Sequence, residues 1–235
     1  MSRRPRQFSL NLRPRRRRGG RRNGAGRKSI GRRPGVPHRQ RQALASRHPV
    51  HVTIRIRRDL PNLRTKRRLQ AVRACFQAAA RSPAVARARV TDWSLQSNHI
   101  HMLVEAKDAR TLSAAVKGIN VRIAKALNRL LGRRGQVIAD RYHARILRTP
   151  REVRNALVYV LNNARKHGHR LPTTEPDVFS SGWWFDGWSG QPRLNTRGID
   201  PPTALPRTWL RAIGWRRRRL LQLDERPAGT RHNPA

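Results

Sequence analysis

Apolar and polar residues alternate along the segment that follows His48. Apolar side chains occupy every second position: Val50, Val52, Ile54 and Ile56. Because alternate side chains of a strand point to opposite faces of a sheet, the pattern predicts a β-strand with one buried face. Residues 90–97 give a second strand by the same reasoning, and a third begins at His99. These two strands are expected to form a hairpin, since almost no sequence separates them.

Helical spacing is found between these strands. Apolar residues recur at intervals of three or four from Leu69 to Ala79 and again from Leu112 to Leu130. This spacing predicts two amphipathic helices, the second of which is closed by Gly132. A fourth strand is predicted from Val137 to Leu147.

The last predicted helix has a well-marked start. Thr149 supplies an N-cap, Pro150 suits the first turn, and Glu152 completes a capping box. The helix is expected to run to about His167. Its apolar face consists of Val153, Ala156, Leu157, Val160, Leu161 and Ala164.

The order of elements is therefore strand, helix, strand, strand, helix, strand, helix. Without its last helix this is the ferredoxin-like split βαβ arrangement, an α+β fold. It predicts a four-stranded antiparallel sheet with two helices on one face and the first and third strands at its centre. We expect His99 and His101 in mid-sheet, on the face that the C-terminal helix covers.

Positive charge dominates the composition. The 235 residues carry a formal net charge of +42, and the sequence pI is near 12.0. Such an excess indicates a polyanionic partner, for which nucleic acid is the best fit. A membrane partner is disfavoured because the chain has no apolar run of about 18 residues.

Cysteine usage and the start of the chain indicate the compartment. Cys75 is the single cysteine, so a disulfide scaffold and a thiolate zinc site are both excluded. The first residues lack the apolar core of a secretory signal. A cytoplasmic, nucleoid-associated setting is therefore expected.

Three regions are expected along the chain. Residues 1–45 are rich in arginine and contain no acidic residue, which predicts a disordered basic arm that binds phosphate without reading sequence. Residues 46–170 hold the α+β domain. Residues 171–235 form an irregular tail whose tryptophans either staple it to the domain or stack on unpaired bases. The terminal arginines assigned to DNA phosphate are Arg15, Arg16, Arg17 and Arg18, together with Arg216 and Arg217, which otherwise form a solvated face.

Two histidines separated by one residue lie on the third strand. His99 and His101 point to the same side, about 7 Å apart along the strand by the usual rise. Two imidazoles so placed can share one divalent cation, although alternating histidines can equally form the solvent face of a strand. On the last helix, Tyr159 shares the polar face with Asn155 and Asn163. A phenol is a better leaving group than an alkoxide, which suits reversible transesterification of a phosphodiester.

The two sets of residues together suggest a mechanism. A cation held by His99 and His101 would polarise a phosphoryl oxygen, and an amide oxygen from Asn163 could complete its protein ligands. Imidazole and amide ligands with open positions favour Mg²⁺ or Mn²⁺ as the divalent metal. Arg145 and Lys166 are predicted to contact DNA phosphate.

These motifs resemble those of a known family. The chain resembles the single-tyrosine HUH transposases, and more narrowly the REP-associated tyrosine transposase branch of the insertion-sequence-200-like group, over about residues 48–170. The matching segments are Gln96–Val104, Asp140–Ala144 and Tyr159–Asn163, with Arg165 and Gly168. Where relatives often carry Asn-Pro, this chain has Asn163 followed by Ala164.

The resemblance implies cleavage of single-stranded or hairpin DNA through a 5′-phosphotyrosine bond, followed by joining. It implies Tyr159 as nucleophile and His99 and His101 as metal ligands, with Asn163 completing the metal site. Members of the wider group can be dimers that exchange the tyrosine helix, so both a monomer and a homodimer remain open.

Some assignments have alternatives. Tyr142, the other tyrosine, is expected to pack rather than react. Glu105 lies on the histidine face and is either a partner of one imidazole or a plain surface carboxylate. The alternative function is a non-catalytic DNA- or RNA-binding protein with a ferredoxin-like core and basic tails. A phosphodiesterase with two histidine motifs is disfavoured because the sequence offers no second motif of that kind.

Overall fold

The computed structural model of the chain describes residues 41–166, 168, 169, 171–190, 196 and 198–227. All of them fall in one compact unit. The basic arm predicted for residues 1–45, with Arg15, Arg16, Arg17 and Arg18, lies outside the described residues except for its last five positions. Among these five, Leu44 is buried in the core.

Four antiparallel strands form the sheet: β1 (Val50–Arg55), β2 (Ala88–Leu95), β3 (His99–Ala106) and β4 (His143–Ile146). Their spatial order is β2-β3-β1-β4, so the first and third strands are central. The predicted α+β, ferredoxin-like arrangement is confirmed. In this register Thr53 of β1 lies opposite His101 on one side and opposite His143 on the other.

Two long helices, α1 (Lys66–Ala80) and α2 (Ala109–Leu130), pack on one face of the sheet. They bury the even-numbered apolar residues of the central strands, among them Val52, Ile54 and Met102. Asp108 caps the N-terminus of α2, and its carboxylate accepts a hydrogen bond from the Thr111 backbone N–H at 2.7 Å. This face is the main apolar core.

Helix α3 (Pro150–Leu161) covers the opposite face. Thr149 and Glu152 form the predicted capping box, and all six residues of the predicted apolar face are buried. The helix ends six residues before the predicted position, because Asn162 leaves the helical path with φ −110° and ψ 15°. A single turn, α4 (Asn163–Lys166), follows, and His167 lies outside the described residues.

The fourth strand is shorter than its apolar pattern predicts. Residues 143–146 pair regularly with β1, and Ile138 makes an isolated bridge with Ile56. Between these two pairings β1 advances by three positions, from Thr53 to Ile56, whereas the other chain segment covers five, from His143 back to Ile138. The two additional residues bulge out of the sheet, which interrupts the strand that the sequence predicts to be continuous.

The segment after α3 has little regular structure but is well packed. Phe185, Trp188 and Trp215 are buried and form a second core with α3 and Leu103. The segment includes the short helix α5 (Trp209–Ala212). In the described part of the chain, no helix has the length and apolarity that crossing a membrane would require.

Candidate active site

The polar side of the sheet supplies the candidate site. Odd-numbered residues of β1 and β3 point away from the α1–α2 core and toward α3, which follows from the alternation of side chains along a strand. Beside the predicted pair His99 and His101, the register brings His51 and Thr53 from β1. Strand β4 adds His143 opposite Thr53.

The two predicted histidines are neighbours. The ring centroids of His99 and His101 are 4.7 Å apart with the planes nearly perpendicular, closer than the strand rise alone would place them. Nδ1 of His99 lies 2.9 Å from Oδ1 of Asn98, and Nδ1 of His101 lies 3.1 Å from Oγ1 of Thr53. Tautomers protonated on Nδ1 place the imidazole lone pairs on Nε2, the arrangement found in histidines that bind metals.

His51 is a third histidine of the site that the sequence motif does not indicate. Its Nε2 atom lies 3.2 Å from Nδ1 of His101. Burial, followed by repulsion from His143 and Arg145, lowers the pKa of His51 from 6.5 to about 4. His51 is therefore a neutral imidazole at pH 7, and adds a hydrogen-bonding group beside His101 without adding charge.

Tyr159 of α3 meets the histidines edge-on. Its ring centroid is 4.9 Å from that of His101 and 5.5 Å from that of His51. The Lys166 ammonium lies 5.0 Å from the centre of the phenol ring. Burial raises the pKa of Tyr159 above 10.0, so the phenol keeps its proton at neutral pH. Of the predicted histidine pair, His101 therefore meets Tyr159 within one chain.

One observation bears on the predicted divalent cation. Asn163 is fully buried, and neither polar atom of its amide has a hydrogen-bond partner among the described residues. A buried amide without partners is costly, and an oxygen ligated to a cation would remove part of that cost. In the described ranges no three His, Cys, Asp or Glu side chains are grouped to hold a metal. Two imidazoles would therefore need an amide such as that of Asn163.

A cavity of about 570 Å³ opens over this region. His51, His101, Arg145 and Tyr159 line it, together with residues 225–227 of the C-terminal segment. His99 and Asn163 are not among the described lining residues. The cavity therefore gives a substrate access to the phenol and to His101, whereas His99, half-buried at the start of β3, is not part of its lining.

The remaining predicted DNA contacts divide into two groups. Arg145 is exposed at the cavity, 3.3 Å from Glu152, and Lys166 lies over the phenol, so both are close to Tyr159. Arg216 instead forms an ion pair with Asp186 at 2.8 Å. Arg217 is exposed beside Trp209, with its guanidinium carbon 5.0 Å from the centre of the indole ring.

Two further predictions concern Tyr142 and Glu105. Tyr142 is buried among core residues, with its hydroxyl 2.8 Å from Ser113 Oγ, as expected for a packing role. Glu105 fits neither of its predicted roles: it is buried and accepts hydrogen bonds from the backbone N–H groups of Arg207 and Thr208 at 2.8 and 3.0 Å. The carboxylate oxygens of Glu105 thus bind a segment about 100 residues further along the chain. The alternation of side chains along β3 does not indicate this contact.

No protein-family model and no curated protein sequence matches this chain. Among solved structures the chain is similar to a REP-associated tyrosine transposase bound to a REP hairpin, with a TM-score of 0.51 and 16% identity over 74% of this chain and 93% of that chain. At this identity the likeness shows the fold, an α+β domain with a four-stranded antiparallel sheet.

Two structures of a bacterial tRNA(His) guanylyltransferase-like protein, in complex with GTP and with ATP, are more distant. Their TM-scores are 0.39 and 0.38 at 15% identity, over 54% of this chain and 66% and 62% of theirs. Likeness of this degree is too slight to interpret.

Proposed function

We propose that this protein is a metal-dependent single-stranded DNA endonuclease and strand transferase that acts on hairpin-forming DNA through a 5′-phosphotyrosine intermediate. The observation that carries the proposal is the edge-on contact between Tyr159 and His101, at 4.9 Å between ring centroids. The chain's net charge of +42 supports a nucleic-acid substrate. The transposase of similar fold is bound to a REP hairpin, which supports DNA of that form.

The proposed reaction is a transesterification by Tyr159. Its phenolic oxygen attacks the phosphorus of a phosphodiester, an Oη–P bond forms, and the bond from phosphorus to the 3′ oxygen breaks. The phenol loses its proton and the departing 3′ oxygen gains one, so charge and protons balance. An incoming 3′ hydroxyl reverses the step and releases the tyrosine, because a phenol is a better leaving group than an alkoxide.

Two cationic side chains and a divalent metal ion would assist this reaction. In this proposal Arg145 and Lys166 bind the phosphate that reacts and hold its phosphorus near Tyr159. A divalent cation, Mg²⁺ or Mn²⁺, held by His99, His101 and Asn163 would supply Lewis-acid stabilisation of the charge on the phosphoryl oxygens. His51 and Thr53 would keep the His101 ring in its orientation through the contacts at Nδ1.

The test uses the two tyrosines of the chain, which provide matched variants. Full-length protein is incubated with circular single-stranded phage DNA, which contains many hairpins, and with Mg²⁺ or Mn²⁺. Denaturing gels detect a covalent protein–DNA adduct, and mass spectrometry after nuclease digestion locates the nucleotide. We expect an adduct on Tyr159 in the wild type and in Tyr142→Phe, and none in Tyr159→Phe.

DNA affinity provides the control for this experiment. Removal of one hydroxyl should leave binding of the same DNA by Tyr159→Phe unchanged within about twofold, because most of the affinity comes from phosphate contacts. If wild type and variant bind alike and neither forms an adduct with either metal, the protein is a non-catalytic nucleic-acid-binding protein. An adduct on Tyr142 would also contradict the assignment.

A further inference from the structure

A cleft at the C-terminal end of β3 is lined by more cationic than acidic side chains. The cleft has a volume of about 490 Å³. Its cationic lining residues are Arg47, Arg87, Arg89, Lys107 and Arg207, and its single acidic lining residue is Glu105. It shares no lining residue with the cavity of Tyr159. Glu105 follows His101 by four residues on the same strand face, a separation of roughly 13 Å by the strand rise.

The one carboxylate of the cleft is already engaged. Glu105 accepts hydrogen bonds from the backbone N–H groups of Arg207 and Thr208 and, at 2.7 Å, from the Thr208 hydroxyl. Its contact with Arg89 is longer, 3.9 Å from Nε. Four of the five cations of the cleft form no ion pair with the described residues. They are Arg47, Arg87, Lys107 and Arg207.

The cations of the cleft also repel one another. Burial, and after it the charge of Arg207, lowers the pKa of Arg89, although Glu105 acts in the opposite direction. Like charges held together at a surface gain from the arrival of an anion, because their mutual repulsion is relieved. The cleft is therefore suited to a polyanion.

An exposed aromatic ring stands at the edge of the cleft. All six tryptophans lie in the described part of the chain, and Trp209, at 47% exposure, is the most exposed of them. Its ring rests against Gly214, where a Cβ atom would come within 2.6 Å of the indole. Thr208, fixed by Glu105, caps the short helix that begins with Trp209. The indole thus has a fixed neighbour in Gly214, and the Arg217 guanidinium carbon lies 5.0 Å from the ring centre, while Trp209 as a whole stays 47% exposed.

We propose that this cleft and Trp209 form a second nucleic-acid subsite, in which phosphates of a single-stranded segment bind among the cations and a base stacks on the indole. This proposal rests on the proposed function for the choice of ligand, single-stranded DNA, and is independent of the cleavage step. A fixed indole beside a positively charged groove is the combination by which proteins bind single strands without reading sequence. A lipid surface is disfavoured because α5, with four residues, has no extended apolar face to insert.

The experiment measures the affinity of the full chain for a fluorescein-labelled dT oligonucleotide by anisotropy over a series of salt concentrations. Trp209→Ala should weaken binding roughly tenfold, since stacking of one base is lost. The double variant Arg87→Gln/Arg207→Gln should reduce the slope of log K against log salt by about 1.4, or about 0.7 for each phosphate contact. Leu205→Ala and Arg134→Gln, exposed apolar and cationic controls outside the cleft, should bind as the wild type does.

Tryptophan fluorescence gives a second readout. The oligonucleotide should quench part of the emission of the wild type, and Trp209→Phe should remove that quenching, since stacking requires an accessible ring. If Trp209→Ala is not folded by circular dichroism, the double arginine variant and Trp209→Phe decide. Unchanged affinity and salt slope in the cleft variants would overturn the proposal. The proposal would also be overturned, in favour of a lipid, if the wild type binds phosphatidylserine vesicles, the cleft variants do not, and their binding of dT is intact.

Failure of this subsite can be separated from failure of the enzymatic reaction. An adduct on Tyr159 together with wild-type binding by the cleft variants would refute the subsite alone. Weakened binding by Trp209→Ala without any adduct in the wild type would support the subsite and refute the reaction.

Discussion

The ion pair between Asp92 and Arg211 should be a main attachment of the C-terminal segment to the sheet. Arg211 in α5 donates from Nε and Nη2 to the carboxylate of Asp92 in β2, at 2.7 and 2.6 Å. The side chain of Asp92 is 2% exposed and that of Arg211 is 4% exposed. Burial lowers the pKa of Arg211, but the adjacent carboxylate outweighs this effect and raises it. Arg211 is therefore charged although it is buried, and Asp92 supplies the carboxylate that neutralises this charge.

Replacement of Asp92 by alanine leaves that charge buried and without its carboxylate. Loss of one partner of a buried pair costs about 3–5 kcal/mol. In a unit of roughly 200 residues each kcal/mol corresponds to about 2–4 °C, so the melting temperature should fall by roughly 6–20 °C. Removal of both partners together should cost less than the sum of the single losses, by about 1–3 kcal/mol.

The measurement is a double-mutant cycle of Asp92→Ala and Arg211→Met, followed by urea unfolding with circular dichroism. Asp200→Ala is the matched control, because the ion pair between Arg81 and Asp200 is exposed and should contribute below about 1 kcal/mol. A loss below about 1 kcal/mol for Asp92→Ala would refute the reasoning. Strictly additive losses around the cycle would also refute it.

Four further outcomes are expected. His99→Ala and His101→Ala should each abolish metal-dependent cleavage with DNA affinity preserved within about threefold, since phosphate contacts dominate binding; loss of folding in both would show a structural role instead. Thr149→Ala should destabilise the fold by about 1 kcal/mol through loss of the cap. The same cap should weaken in acid. Burial acts to raise the pKa of Glu152, but hydrogen bonds from the Arg148 backbone and the Arg145 side chain outweigh it and hold the pKa below 4.5. The contribution of Glu152 to stability is therefore present above pH 4.5 and is lost as the pH falls through the lowered pKa. Deletion of residues 1–34 should flatten the salt dependence of DNA binding, and an unchanged slope would mean that the arm does not touch DNA.

Local patterns predicted most of the fold. Alternation in β1, helical spacing in α1 and α2 and the capping box at Thr149 are each decided by neighbours in sequence, and the order of elements restricts the topology to few choices. From that topology the meeting of His101 with Tyr159 could be expected. These signals share the property that the residues which decide them lie within a few positions of one another.

The features that the sequence did not reveal depend on distant contacts. His51 reads as a solvent-facing position of β1, and its place beside His101 follows from strand order and register rather than from any motif. Glu105 contacts Thr208 across 103 positions. The bulge before β4 interrupts an apolar pattern that looks continuous from Val137 to Leu147. In each case the partner that determines the outcome is remote along the chain.

The central strands divide their residues between two tasks. Even-numbered side chains of β1 and β3 pack against α1 and α2, while His51, Thr53, His99 and His101 point the other way. Substitutions of the side chains that face α3 can therefore occur without disturbing those that pack against α1 and α2. A chain without these histidines would keep its packed face and its net charge of +42 nearly unchanged.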